Sequence, residues 1–503
     1  MKAIKTILAI VFIVSITSCT PSVPLTSRPD HPNIIFILTD DMADTDLAYM
    51  PRTIKLIKNQ GISFDEFFVS ISLCCPSRTS ILRGQYAQNT KITDNTFPGG
   101  GFEKVYERGL EKSMLPVWLK QAGYRTALFG KYLNEYPGTP GQTYIPPGWD
   151  EWASPVDGYP YTEFNYTLNE NGQLVKYGNR PQDYGTDVYA SKALAFIKDS
   201  IDQNQTFFAY IATYAPHHPY TPAPRHAGMY NSLSLPRPPS FNEADMRDKL
   251  KTFLWKYPLT EDQINELQMD YRMRIESLQA VDEMIGNIVD TLSASGKLND
   301  TYIFFASDNG FHLGQHRLPA GKNTPYEEDI LVPLLVSGPG IRSGTHVQEL
   351  TGNIDIAPTI ADLAGVSAPS FVDGRSLAPF LFGQSVSNWR QAYLLQRALI
   401  IPRGQGDNPD QESETFTPVG TLEPPDSSFD NVPLEYHGLR TQQYTYLEFT
   451  KGVIQIYDLK KDPYELNNFA STADPTLLGK LHAWLAKLEN CSADSCRSAE
   501  INK

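Results

Sequence analysis

Residues 33–39 (NIIFILT) form an unbroken apolar run rich in β-branched side chains, which predicts a strand buried on both faces of a sheet. Residues 52–60 then read as a helix stopped by Gly61, and residues 62–69 as a second strand. A short helix over 115–122 ends at Gly123 and leads into a strand over 124–129. An amphipathic helix over 187–201 leads into another strand over 206–214. The longest helix starts at Thr260, which forms a capping-box pair with Gln263. Ile264, Leu267, Tyr271, Ile275, Leu278, Ile285, Ile288 and Leu292 mark its apolar face at helical spacing. Buried strands follow over 302–306 and 332–336. Strands alternating with helices predict an α/β domain, a mostly parallel sheet sandwiched by helices.

The texture changes near residue 385. Residues 401–433 are rich in Pro, Gly, Asp and Ser and read as a long loop. A hairpin over 444–450 and 453–457 turns at Lys451-Gly452, and a helix over 477–488 closes the chain. The division expected is a catalytic domain over 31–385 and a smaller antiparallel α+β subdomain over 386–503. No internal repeat is evident, which argues against solenoids and propellers. The net charge of −14 excludes the broad basic surface that nucleic acid requires. It leaves room for a small anion in a local basic pocket.

The N-terminus carries Lys2 and Lys5, then an apolar run over 7–14 that is too short to span a bilayer. A cleaved signal over 1–18 is expected. Thr17 and Ser18 before Cys19 resemble the lipobox of bacterial lipoproteins, which implies a lipid on Cys19 and a tether over 19–30. The alternative is a plain secretory signal. Either reading places the protein outside the cytoplasm; the lipobox reading places it on a bacterial membrane, in the periplasm or at the outer membrane. Cys491 and Cys496 are either a local disulfide or two surface thiols. Cys74 and Cys75 are adjacent and pair badly on geometric grounds, so the doublet needs another explanation.

Open parallel sheets place functional groups at the carboxyl ends of strands. The first strand ends in Asp40-Asp41, and the strand at 302–306 in Ser307-Asp308-Asn309-Gly310. Asp40, Asp41, Asp308 and Asn309 are hard oxygen donors that suit Ca²⁺ or Mg²⁺ better than zinc. Taken alone they are also ordinary turn residues. The segment Leu73-Cys74-Cys75-Pro76-Ser77-Arg78 adds C-x-P-x-R, in which only Cys74 has proline at plus two and arginine at plus four.

That motif resembles the signature of the formylglycine-dependent (type I) sulfatases. The resemblance implies an alkaline-phosphatase-like fold and oxidation of Cys74 to formylglycine by a maturation enzyme. It implies a metal, Ca²⁺ first and Mg²⁺ second, held by Asp40, Asp41, Asp308, Asn309 and residue 74. Gly130-Lys131, Ala215-Pro216-His217-His218 and Gly321-Lys322 match further family motifs, as does Tyr457-Asp458-Leu459 with Asp462-Pro463 and Glu465. Lys131, His217 and Lys322 are thereby implied as substrate-binding and catalytic groups, with Arg78 orienting the nucleophile. Many members carry a histidine where this chain has Leu133, so His217 or His312 inherits the acid role. Leu133, Pro146-Pro147-Gly148-Trp149, Phe164-Asn165-Tyr166-Thr167 and Gly310-Phe311-His312-Leu313-Gly314-Gln315 resemble the N-acetylglucosamine-6-sulfatase and heparan endosulfatase branch.

The implied function is hydrolysis of sulfate esters on a sulfated polysaccharide or oligosaccharide. The implied sugars are 6-sulfated N-acetylglucosamine or algal polymers such as ulvan and carrageenan. Two other readings stand beside it. One is a phosphonate monoester hydrolase or phosphodiesterase of the same superfamily. The other is a non-catalytic glycan-binding lipoprotein. The aromatic stretch 136–166, with Trp149 and Trp152, either stacks on sugar or packs as ordinary loop. Specificity is expected there and in residues 225–256.

Overall fold

The structure, a computed structural model, describes residues 29–249, 257–397 and 435–501. Its frame is a ten-stranded sheet. From edge to edge the strands are Thr345–Val347, Ile62–Phe64, Leu334–Ser337, Thr301–Ser307, Asn33–Thr39, Phe207–Ala212, Arg125–Gly130, Glu151–Gly158, Tyr166–Glu170 and Gln173–Tyr177. Five neighbouring strands, from Thr301–Ser307 to Glu151–Gly158, run parallel. Asn33–Thr39 lies at their heart, every residue buried. Ile34, Phe36 and Leu38 face one core, and Ile35 and Ile37 face the other. This two-sided burial is why the strand reads as a continuous apolar run rather than an alternating one.

Helices cover both faces. Gly185–Asp202 and Glu261–Ala294 pack on one side, through residues such as Val188, Phe196, Leu278 and Ile285. Leu115–Gln121 and Ile356–Leu363 pack on the other. The capping box is present as expected, with the Thr260 hydroxyl accepting from the Gln263 amide. Among the described residues no helix is long and apolar enough to cross a membrane.

The structure corrects several sequence expectations. The strand predicted over 62–69 is two short strands. Ile62–Phe64 joins the large sheet, while Phe67–Phe68 pairs with Thr351–Gly352. Asp65 and Glu66 cannot be buried on both faces, so the chain turns there and Arg440 reaches Glu66 at 3.0 Å. The strand after residue 332 runs antiparallel to Thr301–Ser307. Three further strands between 151 and 177, for which no strand was expected, also extend the sheet, the first of them inside the aromatic stretch 136–166. Trp149 and Trp152 are buried in the core, at 6% and 1% exposure, so they pack rather than stack on sugar.

A separate four-stranded antiparallel sheet is built from Ala392–Arg397, Tyr436–Thr441, Tyr444–Phe449 and Val453–Asp458. The helix Pro475–Glu489 packs on it, and a further short helix, Asp494–Ala499, follows instead of the chain closing at 488. Cys491 and Cys496 are joined as a disulfide. Cys19 and the predicted loop 401–433 lie outside the described residues, as do residues 250–256 of the expected specificity segment.

Candidate active site

Neighbouring strands end side by side at one edge of the sheet, and their following residues converge. After Asn33–Thr39 the backbone enters a left-handed conformation at Asp41, with φ 66°. Asp41 tolerates this because aspartate is among the few non-glycine residues that visit it. Two contacts hold the turn: the Asp41 amide donates to Asp308 Oδ1 at 3.1 Å, and Arg274 donates to the Asp41 carbonyl at 2.6 Å. Arg274 comes from the middle of the longest helix and is itself paired with buried Asp46 at 3.0 Å. Asp40 and Asp41 are thereby turned inward together with Asp308 and Asn309, all four buried.

Cys74 opens the helix Cys74–Arg83, whose N-cap Leu73 is extended and lacks a capping side chain. The positive end of the helix therefore faces whatever residue 74 binds. Cys74 Sγ lies 3.4 Å from Asp40 Oδ1 and 3.0 Å from Lys322 Nζ. Cys75 points away into the hydrophobic core, and burial pushes its thiol up to about 12. Geometry thus separates the doublet: Cys74 belongs to the polar cluster and Cys75 to the packing.

Three fixed cations balance the carboxylates. Arg78 Nε donates to Asp308 Oδ2 at 2.7 Å, and another guanidinium nitrogen donates to the Lys131 carbonyl at 3.0 Å. Lys131 Nζ contacts Asp40 Oδ2 at 2.5 Å, and Lys322 Nζ contacts Asp41 Oδ1 at 2.8 Å. Burial works to raise the Asp40 carboxyl, but Lys131, Arg78 and His217 outweigh it and hold Asp40 below the usual range. Asp308 goes the other way: burial, and then the Asp40 charge, push it up against the pull of Arg78. His217 Nε2 lies 3.5 Å from Asp41 Oδ2, while its Nδ1 lies 2.8 Å from the His218 carbonyl. A carbonyl only accepts, so the Nδ1 atom carries a proton and Nε2 is the atom turned to the site.

The donor set fits a divalent cation. Ligand atoms of Asp40, Asp41, Cys74 and His217 lie within 4.8 Å of one another. Asn309 donates from Nδ2 to Asp41 at 2.7 Å, and its buried Oδ1 has no partner among the described residues. A buried carbonyl oxygen without a donor, beside carboxylates, suits a hard ion.

The cluster brings together Asp40, Asp41, Cys74, Arg78, Lys131, His217, Asp308, Asn309 and Lys322. His312 is held otherwise. Its Nδ1 bonds Asp329 at 2.8 Å, its Nε2 has no hydrogen-bond partner among the described residues, and its backbone bridges to Gly321, next to Lys322. The motif reading did not foresee Tyr161 and Arg274. The Tyr161 ring lies 4.5 Å from the His217 ring and 4.9 Å from Lys131 Nζ. It borders a cavity of about 820 Å³ that also meets Tyr136, Tyr159, Glu135 and Asp157. None of residues 225–249 lines that cavity, and Arg225 is tied to Asp187 and Glu283 at 2.6 Å each.

A buried set of carboxylates with Cys74 among them, ringed by lysines and a histidine beside a wide cleft, suits the binding of an anionic ester. The sulfatase profile matches residues 32–366, and the chain belongs to the sulfatase family. It is 37% identical over 486 residues to the human N-acetylglucosamine-6-sulfatase, covering 94% of this chain and 87% of that one. Among solved structures it resembles BT4656 in complex with its substrate D-glucosamine-2-N,6-O-disulfate. That match has TM-score 0.73 and 25% identity and covers 93% of this chain and 98% of that one. The phosphonate monoester hydrolase of Silicibacter pomeroyi shares the fold, at TM-score 0.68 and 24% identity over 91% of this chain and 94% of that one. The protein is a sulfuric ester hydrolase.

Proposed function

We propose that this sulfatase removes sulfate from a sulfated glycan, first of all the 6-sulfate of N-acetylglucosamine, with residue 74 converted to formylglycine and Ca²⁺ as its metal. The observation that carries the reading is the separation of the cysteine doublet. Only Cys74 meets Asp40 and Lys322, and only Cys74 stands in the C-x-P-x-R register. The relatives' names supply the sugar: N-acetylglucosamine-6-sulfatase in one case, a 6-O-sulfated glucosamine substrate in the other. Asp40, Asp41, Asp308, Asn309 and residue 74 would hold the cation, which supplies Lewis-acid polarisation of a sulfate oxygen. A formylglycine would supply a geminal diol in place of a thiol, and so a nucleophile that can release its product without water attacking sulfur.

The chain's own residues account for the rest. Lys131, within electrostatic reach of residue 74, and Lys322, 3.0 Å from its sulfur, are positioned to neutralise sulfate oxygens. Arg78 is locked by Asp308 and the Lys131 carbonyl, so it fixes the anionic cluster instead of moving with substrate. As an imidazolium, with its second proton on Nε2 toward Asp41, His217 can give that proton to the leaving alcohol. His312, with Nδ1 held by Asp329, offers its own Nε2 as the second such atom. The cavity beside Tyr161 would take the sugar ring. It is lined by Tyr136 and Tyr159 and by Glu103, Glu135 and Asp157, and among the described residues no lysine or arginine lines it. That lining favours a sugar unit without further negative charge.

The N-terminal segment supports an exported, lipid-anchored enzyme at a bacterial membrane, in the periplasm or outer membrane. It has two early lysines, a short apolar run and small residues ahead of Cys19. Membrane fractionation of the intact chain against a Cys19→Ala variant tests this.

The function is tested by peptide mass spectrometry and a paired assay. The peptide containing residue 74 is expected to have lost its thiol and gained an aldehyde. Cys74→Ala is expected to abolish turnover, while Cys75→Ala retains it. Hydrolysis of N-acetylglucosamine-6-sulfate should exceed that of an aryl phosphodiester. Full activity in Cys74→Ala would end the formylglycine reading, and a preference for the phosphodiester would move the enzyme to the phosphonate hydrolase side of the fold.

A further inference from the structure

Away from the catalytic cluster, a second group of ligating side chains lies where the loop after Asn309 meets the C-terminal subdomain. His316, Glu328 and Glu465 each turn one ligand atom inward, and these atoms lie within 4.8 Å of one another. His316 and Glu465 are 1% exposed, and the Glu328 side chain is 20% exposed. The protonation of His316 follows from its partners. Its Nδ1 lies 2.7 Å from Glu243 Oε2, and a carboxylate there takes the Nδ1 proton. Glu243 is in turn held by Lys249 at 3.2 Å. On a neutral ring with its proton on Nδ1, the lone pair is on Nε2. That atom is buried and has no hydrogen-bond partner among the described residues. It faces Glu328 Oε2 at 3.9 Å, too far for a hydrogen bond.

Glu465 repeats the pattern. Its Oε2 accepts from the Glu327 amide at 3.0 Å, while its Oε1 has no hydrogen-bond partner among the described residues. The Thr445 hydroxyl lies beside this carboxyl and works to lower it. Burial, with Glu327 and Glu328 nearby, pushes Glu465 well above the usual carboxyl range. The cations at hand are committed elsewhere: Lys249 to Glu243 and the Leu466 carbonyl, Arg440 to Glu327 and Glu66. A ring nitrogen and two carboxyl groups converge in this buried space, and a cation between them would satisfy all three.

We propose that His316, Glu328 and Glu465 form a second metal site, for Zn²⁺ or a similar borderline divalent ion, distinct from the catalytic one. One imidazole nitrogen with two carboxylate oxygens is a zinc-type donor set, whereas Ca²⁺ takes oxygens alone. The Glu243–His316 contact is the support that a metal-bound imidazole commonly has on its other nitrogen. The partly exposed Glu328 side gives an ion its way in. The site's place gives it a task. His316 lies between His312 and Lys322, and Glu328 precedes the Asp329 that holds His312. Glu465 belongs to the C-terminal subdomain. An ion shared by the three pins the segment carrying two active-site groups to the subdomain beside it.

The test uses the full chain with Asp40→Asn and Asp41→Asn, which silences the catalytic cation site. The protein is stripped with chelator and dialysed against ZnCl₂, and bound zinc and the thermal midpoint are measured. One equivalent of zinc and a raised midpoint are expected. Adding His316→Gln should remove both, and Glu243→Gln should weaken zinc binding about 10- to 100-fold. Should His316→Gln not fold, Glu328→Gln, at the exposed edge, is read for the same lost equivalent. Absence of stoichiometric zinc, or an equivalent that survives these substitutions, overturns the proposal. The reading of residue 74 and its cluster as the sulfatase site does not depend on either result.

Discussion

Arg78 is fully buried; it donates to Asp308 at 2.7 Å and to the Lys131 carbonyl at 3.0 Å, and faces Asp40 as an ion pair at 3.7 Å, so it serves three segments. A planar guanidinium can do this at once, whereas an ammonium is a point charge on a flexible stem. Arg78→Lys should therefore keep the charge and lose the geometry. The expected result is a fall in kcat of about 10²- to 10³-fold with a smaller change in KM, since the cluster acts on charge developing in the transition state. Steady-state kinetics with a melting curve separates this from unfolding, and an unchanged kcat would remove Arg78 from its positioning role. The residues of this cluster were readable in the sequence because each sits in a local context with its own signature. Asp40-Asp41 and Asp308-Asn309 follow buried strands, and Cys74 and Arg78 share one helical turn. Arg274 was not readable in this way. It looks like any polar residue of a long amphipathic helix, and only the fold sets it on the Asp41 carbonyl 233 positions away.

The turn that carries Tyr161 illustrates the same limit for an element. Pro160–Thr162 is a single helical turn that ends at Glu163, in a left-handed conformation with φ 63°. Glu163 is buried, and its carboxyl receives the Thr186 amide at 2.6 Å and contacts the Thr186 hydroxyl at 3.1 Å. Burial raises it to about 8 despite these contacts. In the folded chain Glu163 thus keeps its proton up to about pH 8, while in the unfolded chain it loses it above about 4.5. Between those values the folded state holds more protons, so stability falls as pH rises. Each unit of difference is worth about 1.4 kcal/mol. Glu163→Gln mimics the protonated acid and does not titrate. It should match the parent near pH 4.5 and become the more stable form by a few kcal/mol (about 3–5) at pH 8. Denaturant unfolding at both pH values checks this, and a difference independent of pH would contradict it. The neighbouring strands Glu151–Gly158 and Tyr166–Glu170 escaped sequence reading for a related reason. Pro155 and a register shift between Pro155 and Asp157 interrupt the alternation that marks a half-buried strand, whereas the central strands are apolar without a break.

Across the whole molecule, charge and substrate are of the same sign. The chain carries a net charge of −14, and the cavity beside Tyr161 adds Glu103, Glu135 and Asp157. At the catalytic cluster the positive charge is that of Lys131, Lys322 and Arg78, each already facing a carboxylate. A sulfated glycan approaching from solution meets repulsion over a long range and attraction only at contact. The balance depends on ionic strength, because the screening length shrinks from about 30 Å at 0.01 M salt to about 10 Å at 0.1 M. For a polysulfated chain, long-range repulsion dominates encounter, so kcat/KM is expected to rise as salt increases over that interval. For a monosulfated monosaccharide, whose single charge sits among the buried cations, the same change should leave kcat/KM flat or lower it. Measuring both substrates side by side across that salt range decides the point. A parallel rise for both would place the repulsion at the catalytic cluster itself, and a fall for the polysulfated chain would reveal a basic approach surface that the cavity lining does not provide.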